Sequence, residues 1–294
     1  MITVVITTRN DEGTIAACLD SVVAQGTGAT REIVVLDDAS EDGTVATVAE
    51  RYLGVRLIAE PHRVGWVGML RRHLPELRGE AVAFLGSHCT ADPDWLRSAE
   101  TLLDMNMEAA SGFGRHGQGR WLDRFEALSM HAEYLGNQVG EVSLLWDDNF
   151  VIRRDLLARA LPATSLVLSD GTGAALLSRC LRKMGQVLPY RPELRVTHAG
   201  ARLREQFRTW SYDMARNAVD IRRADPTMPL AGALRWGPVA ALPIAAGRWI
   251  HGLKAMSAAR RALGVGLLEL VTHGMLFTVL MAAYGFGLVR ELGN

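Results

Sequence analysis

The stretch Ile33-Val34-Val35-Leu36-Asp37-Asp38 constrains this chain more than any other. Its apolar run is uninterrupted and rich in β-branched residues. Such a run reads as a strand buried on both faces, as in a parallel sheet covered by helices. Asp37 and Asp38 stand at its carboxyl end, where open α/β sheets bind their ligands. Ser40-Glu41-Asp42-Gly43 is turn chemistry, and Thr44 is suited to open a helix.

The flanking sequence repeats the pattern. Ile2 to Ile6 reads as a first strand, and Thr14 to Ala24 has helical spacing with Ile15, Cys18, Leu19, Val22 and Val23 on one face. Thr44 to Tyr52 predicts a second helix, Val55 to Ile58 a short strand, Gly65 to Leu77 a third helix, and Ala81 to Leu85 a buried strand. This βαβαβαβ order implies a doubly wound, mostly parallel α/β sheet. No Gly-x-Gly-x-x-Gly fingerprint follows the first strand, which argues against a dinucleotide-dependent dehydrogenase. Further along, the four glycines of 112–119 predict a flexible loop, and Trp121 to Gln138 a helix. Ala174 to Met184 predicts another helix, and Val187 to Tyr190 and Leu194 to Thr197 two short strands, the second ending at His198.

The formal net charge of the 294 residues is zero, which gives no electrostatic pull towards nucleic acid. The three cysteines, Cys18, Cys89 and Cys180, have no zinc-ligand spacing and suit a reducing compartment. No signal-peptide pattern precedes the first strand.

The last third changes character. Residues 229–247 carry one charge, Arg235, and are interrupted by Pro238 and Pro243. Residues 248–261 carry Arg248, Lys254, Arg260 and Arg261 and no acid. Residues 264–289 are mostly apolar, and a helix of that length reaches about 39 Å, enough for a bilayer core of about 30 Å. The basic stretch favours an interfacial segment over 229–261 and a transmembrane span over 264–289. Glu269 and the glycines leave a buried or dimer-forming helix as the other reading. The expected organisation is a domain over 1–224 and membrane-associated helices over 225–294.

Four motifs together resemble the family 2 glycosyltransferases, inverting enzymes of the GT-A fold. These are Val4-Val5-Ile6-Thr7-Thr8-Arg9-Asn10-Asp11, Cys18-Leu19-Asp20-Ser21-Val22, Val34 to Thr44, and Asp92-Pro93-Asp94-Trp95-Leu96. The resemblance implies that Thr7, Arg9 and Asp11 line a nucleotide and that the Asp37-Asp38 pair faces it, Asp38 accepting from the base. A carboxylate is suited to accept from a uracil or guanine ring N–H. An N-cap or turn role is the lesser alternative for Asp38, and Asp42 reads as structural.

The departures from the family pattern are as informative. Where the family carries its Asp-x-Asp metal motif, this chain has Gly86-Ser87-His88. The resemblance then implies His88 and His198 as ligands of a divalent cation, Mn²⁺ or Mg²⁺; hydrogen bonding of His88 to a loop is the alternative. The family's catalytic base belongs to a Glu-Asp pair, and counting back from Leu181-Arg182-Lys183-Met184-Gly185 reaches Gly173 and Ala174. Asp170, about one turn earlier, is the expected base, with Asp148 in reserve. Asn149 falls on the acceptor side by the same resemblance. Arg208 would bind the diphosphate and Trp210 would stack on a sugar, unless this segment is only an amphipathic helix leading to the membrane region.

The resemblance thus implies an inverting transferase that moves a sugar from a nucleotide-diphosphate donor, UDP-linked by expectation, to a lipid-linked or cell-envelope saccharide. It would act at the cytoplasmic face of the cell membrane. Loss of two catalytic motifs together also admits a non-catalytic nucleotide-sugar-binding or scaffold protein on the same fold. A sugar nucleotidyltransferase would need a Gly-x-Gly-Thr-Arg opening that this chain lacks.

Overall fold

In a computed structural model of the chain, the described residues are 1–26, 31–116, 119–135, 140–161, 170–200 and 203–293. The elements in order are β1 (Ile2–Thr8), α1 (Ile15–Val23), β2 (Arg31–Asp37), α2 (Thr44–Arg51), β3 (Arg56–Ala59), α3 (Gly65–His73) and β4 (Ala81–Leu85). There follow β5 (Cys89–Ala91), α4 (Trp95–Asp104), β6 (Ala109–His116), α5 (Trp121–Met130), β7 (Gly140–Glu141), β8 (Asn149–Arg153), α6 (Arg154–Ala160), α7 (Asp170–Lys183) and β9 (Pro189–His198). The chain ends in α8 (Leu203–Arg208), α9 (Ala215–Ala224), α10 (Ala241–Ala259) and α11 (Leu267–Gly293).

These elements form two compact units, Met1–Arg115 with Asn137–Ala199, and His116–Gly136 with Gly200–Asn294. The second therefore begins before 225 and includes α5.

The first unit holds a sheet of order β3-β2-β1-β4-β8-β6-β9-β5, with β7 beside β9. β3, β2, β1 and β4 are parallel, as their apolar runs predict. Val4, Val5, Val34 and Val35 have no exposed surface. From β4 onward the sheet turns antiparallel, with Leu85 opposite Asn149 and Phe84 opposite Phe150. The rings of that second pair stack at 4.3 Å.

The loop expected over 112–119 is instead strand β6 as far as His116. Its glycines mark close approach, not freedom. A Cβ on Gly112 would lie 2.2 Å from Asn149 Nδ2, and one on Gly114 would lie 2.0 Å from the Trp146 ring. The two short strands expected over 187–197 are one strand, β9. The helix expected over 121–138 stops at Met130, followed by a 3₁₀ turn over Ala132–Tyr134.

Asn149 ties the antiparallel half together. Its Oδ1 accepts from Trp95 Nε1 at 2.9 Å, and its Nδ2 donates to the carbonyls of Phe113 (3.1 Å) and Leu194 (2.8 Å). The side chain is fully buried. The acceptor-side role expected for Asn149 is therefore corrected: its polar atoms are consumed inside the sheet.

The second unit packs Phe125, Leu128, Trp210, Phe277, Leu280, Tyr284 and Leu288 into one core. α11 contributes its inner face. Both ionisable groups near its start point inward: Glu269 Oε1 accepts from Arg124 Nε at 2.7 Å, and His273 Nε2 lies 3.1 Å from the Trp121 carbonyl. The outer face is apolar and exposed at Leu267, Leu268, Val271, Met275, Val279 and Phe286. By length and composition α11 could cross a membrane, although 28% of its apolar window is buried within the fold.

Truncation of Asn149 to alanine would leave one donor and two acceptors unpaired in the core. Loss of at least about 3 kcal/mol of stability is expected, at about 1–3 kcal/mol per orphaned group. Urea unfolding of N149A measures it; a midpoint within error of the parent would contradict this role.

Candidate active site

The site is a rim built by loops at the carboxyl ends of β1, β2 and β4. The β1 and β2 loops are stitched by side chains: Asn10 N donates to Ser40 Oγ (2.9 Å), Glu41 N to Asn10 Oδ1 (2.8 Å), and Asp11 N to Thr44 Oγ1 (2.9 Å). Asp11 Oδ2 gathers three donors: Thr8 Oγ1 (2.9 Å), Arg9 N (3.0 Å) and Ser87 Oγ (2.6 Å). The last bond joins the β1 loop to the β4 loop. Ser87 was not singled out by the sequence as a partner of Asp11, and only its place in the altered metal motif pointed to it. Thr7 is buried in β1 and Arg9 is exposed.

The Asp37-Asp38 pair divides its work. Asp37 folds the turn, with Oδ2 accepting from Ser40 N at 2.9 Å and Oδ1 from Ser40 Oγ. Asp38 Oδ1 accepts from Val64 N (2.7 Å) and Gly65 N (3.1 Å) at the start of α3. This is a capping role: the first amides of a helix lack intrahelical partners. Arg63 Nε stands 3.5 Å from Asp38 Oδ2. Asp42 Oδ1 accepts from Thr44 N at 3.0 Å, the structural role expected of it.

At the end of β4, Gly86 N donates to the Asp148 carbonyl at 3.0 Å. The Asp148 carboxylate stands over Gly86, its Oδ1 only 2.2 Å from where a Cβ would be. His88 Nε2 lies 3.2 Å from Asp148 Oδ1, and His198 Nε2 3.9 Å from Oδ2. The two imidazoles meet edge to face at 4.6 Å. His198 Nδ1 lies 2.8 Å from the Ala199 carbonyl, and Ala199 N donates to the His88 carbonyl at 2.9 Å. A ring N–H bound to a backbone carbonyl leaves the other nitrogen as an electron-pair donor, the usual second partner of a metal-binding histidine. His88, Cys89 and Asp148 bring ligand atoms within 4.8 Å of one another. These donors fit a borderline divalent cation.

The sequence paired His88 with His198 and the two do meet. Asp148, expected as a reserve base, lies between them. Asp170 is the first residue of α7, and its side chain lies outside the described residues. Positions 173 and 174, where the family carries its acidic pair, are closed to carboxylates. A Cβ on Gly173 would meet Trp66 Cε3 at 2.5 Å, and Ala174 is buried. Trp210 is corrected outright. It has no exposed surface, contacts Phe277 at 5.5 Å and lies under the Arg248 guanidinium, so no sugar reaches its face. Arg208 is exposed at the end of α8.

Electrostatics mark the same cluster. Burial alone would pull the His88 imidazolium down, but the charge and hydrogen bond of Asp148 outweigh it, with Asp11 and Asp147 adding. His88 is pushed up to about 10. Because that lies above the ordinary value of about 6.5, the stability His88 lends is complete below that value and lost as pH rises through about 10. Long-range ¹⁵N NMR on EDTA-treated protein should find His88 still protonated at about pH 8, and D148N should return its titration towards the ordinary value. An unchanged His88 titration in D148N would contradict the pairing.

The family model for glycosyl transferase family 2 matches residues 3–161. ExoO, a succinoglycan biosynthesis protein of Rhizobium meliloti (strain 1021), is 39% identical over 97 residues, which is 33% of this chain and only 28% of that protein's length. Among solved structures, the mannosyltransferase PcManGT from Pyrobaculum calidifontis, in complex with GDP-Man and Mn²⁺, is similar with a TM-score of 0.59. It is 21% identical, over 99% of this chain and 86% of that one. S. aureus TarS 1-349 in complex with UDP-GlcNAc is similar with a TM-score of 0.57 at 16% identity, over 98% and 90%. These likenesses show the GT-A fold in the mostly parallel sheet, and the family match covers more than half of the chain and includes the β1, β2 and β4 loops: the chain belongs to glycosyl transferase family 2.

Proposed function

We propose that the chain transfers a sugar, with inversion, from a UDP-linked donor to a lipid-linked or cell-envelope saccharide. The observation that carries this reading is the convergence of Asp11, Ser87, His88, Asp148 and His198 at the carboxyl ends of parallel strands. The nucleotide would lie along the rim formed by Thr7, Arg9, Asp11 and the Asp37-Asp38 turn. Asp38 would offer Oδ2 to a base N–H, since Oδ1 already holds two amides. Arg208 would contribute a fork of donors to the diphosphate.

The residues that fit a divalent cation are Asp148, His88 and His198. Such an ion, when bound, offsets charge on the departing diphosphate. The acceptor hydroxyl oxygen forms the new bond to the anomeric carbon while the bond to the diphosphate oxygen breaks. Asp170 takes the hydroxyl proton. Asp148 is less suited to that task because it is engaged by two imidazoles.

Incubation of the full chain with UDP- and GDP-sugars, Mn²⁺ and envelope lipid extract tests the activity. UDP release that depends on acceptor is expected, and D170N should slow it by about a hundredfold to ten-thousandfold. Absence of release from every donor would contradict the reading, and an unimpaired D170N would remove Asp170 as base.

For the second unit we propose attachment to an anionic membrane surface. Exposed Trp236, Val239, Leu242 and Ile250 add to the apolar face of α11, and Lys254, Arg260 and Arg261 supply positive charge. The chain should co-sediment with phosphatidylglycerol-containing vesicles, and L242E/L268E should shift it to the supernatant. Equal partition of the two proteins would contradict this.

A further inference from the structure

We infer that Asp148 supplies, from across the sheet, the carboxylate that an Asp-x-Asp motif would carry at position 86, and that it forms the divalent-cation seat with His88. The inference rests on the nucleotide-sugar reading above.

Three observations carry it. The first is register. β4 and β8 run antiparallel with Leu85 opposite Asn149, so the next step pairs Gly86 with Asp148, and Gly86 N donates to the Asp148 carbonyl at 3.0 Å. A residue at 148 is therefore the cross-strand neighbour of 86, and neighbours at this spacing share one patch of surface. The second is exclusion. Asp148 Oδ1 lies 2.2 Å, and Cγ 2.8 Å, from the position of a Cβ on Gly86. Two non-bonded heavy atoms do not approach so closely, so a side chain at 86 would displace the carboxylate at 148 from its observed position. Glycine at 86 is thus the condition for Asp148 to stand where it does.

The third is the direction of the carboxylate. Its two oxygens are shared between His88 Nε2 (3.2 Å) and His198 Nε2 (3.9 Å), with Cys89 alongside. A buried carboxylate costs stability unless it is paired, and only 7% of Asp148 is exposed. The Asp148 carboxylate, the His88 imidazole and the Cys89 thiol bring ligand atoms within 4.8 Å of one another, and carboxylate oxygen with imidazole nitrogen suits Mn²⁺ more than Mg²⁺. The carboxylate beside the metal-motif position stands on the facing strand.

The test is Mn²⁺ binding to the full chain, read by the fall of the free Mn²⁺ electron paramagnetic resonance signal, alone and with UDP. D148N keeps the shape of the side chain and removes its charge; it should weaken Mn²⁺ by about tenfold to a hundredfold. G86A removes no ligand residue but adds the methyl that displaces the carboxylate; it should weaken Mn²⁺ as well, whereas Gly13→Ala, in open space on the β1 loop, should not. Circular dichroism confirms that each variant is folded. Parent affinity in both D148N and G86A would overturn the inference, and so would a parent chain that binds no Mn²⁺. UDP binding measured calorimetrically in EDTA separates the two levels. If UDP binds but Mn²⁺ does not, the metal seat fails and the nucleotide reading stands. If Mn²⁺ binds with the expected variant pattern but UDP does not, the nucleotide reading fails.

Discussion

The approach of the Asp148 carboxylate to Gly86 is the constraint on which the rest of the site depends. It requires that β4 and β8 pair in one register, because a slip of one residue would turn every side chain to the other face. Two features hold that register. Phe84 and Phe150 stack across the pair at 4.3 Å. Asn149, next to Asp148, binds Trp95, Phe113 and Leu194 and so fixes the start of β8 against α4, β6 and β9. The buried amide thereby fixes the backbone position of its neighbour, Asp148. Gly112 is part of the same arrangement, since any side chain there would displace the Asn149 amide.

Around that pair, most of the acidic residues near the strand ends serve the backbone. Asp37 and Asp42 fold turns and Asp38 caps α3. Asp11 gathers the β1 and β4 loops through Thr8, Arg9 and Ser87. This rigid rim is what a site needs if its reacting groups are to be held within a fraction of an ångström. Bonds among the loops set the geometry of the rim on which Asp38, His88, His198 and Asp148 stand.

The parallel half of the sheet was legible because apolar, β-branched runs alternate with helical spacing, and no other arrangement buries both faces of such strands. The antiparallel half was not. Gly112 and Gly114 resemble a loop in composition, yet they are required by close packing, a relation that exists only once Asn149 and Trp146 are folded against them. His88 and His198 were singled out by the family resemblance, which places a metal motif after β4 and a histidine at the end of β9. The proximity of Asp148 to position 86 was not legible, since it depends on a cross-strand register that spacing along the chain does not reveal. Trp210 and Asn149 were misread for a related reason. Residues with a polar tip suit either a ligand or a core partner, and packing alone decides between them.

The central claim, that one carboxylate serves this position and that it is supplied from 148, is tested most directly by a double-mutant cycle. Mn²⁺ affinity would be measured for the parent, G86D, D148G and G86D/D148G. Each single change should weaken binding, G86D by collision and D148G by loss of the ligand, while the double variant should recover most of the parent affinity. The two effects would then be strongly non-additive. Additive losses, with the double variant weaker than either single one, would contradict the account.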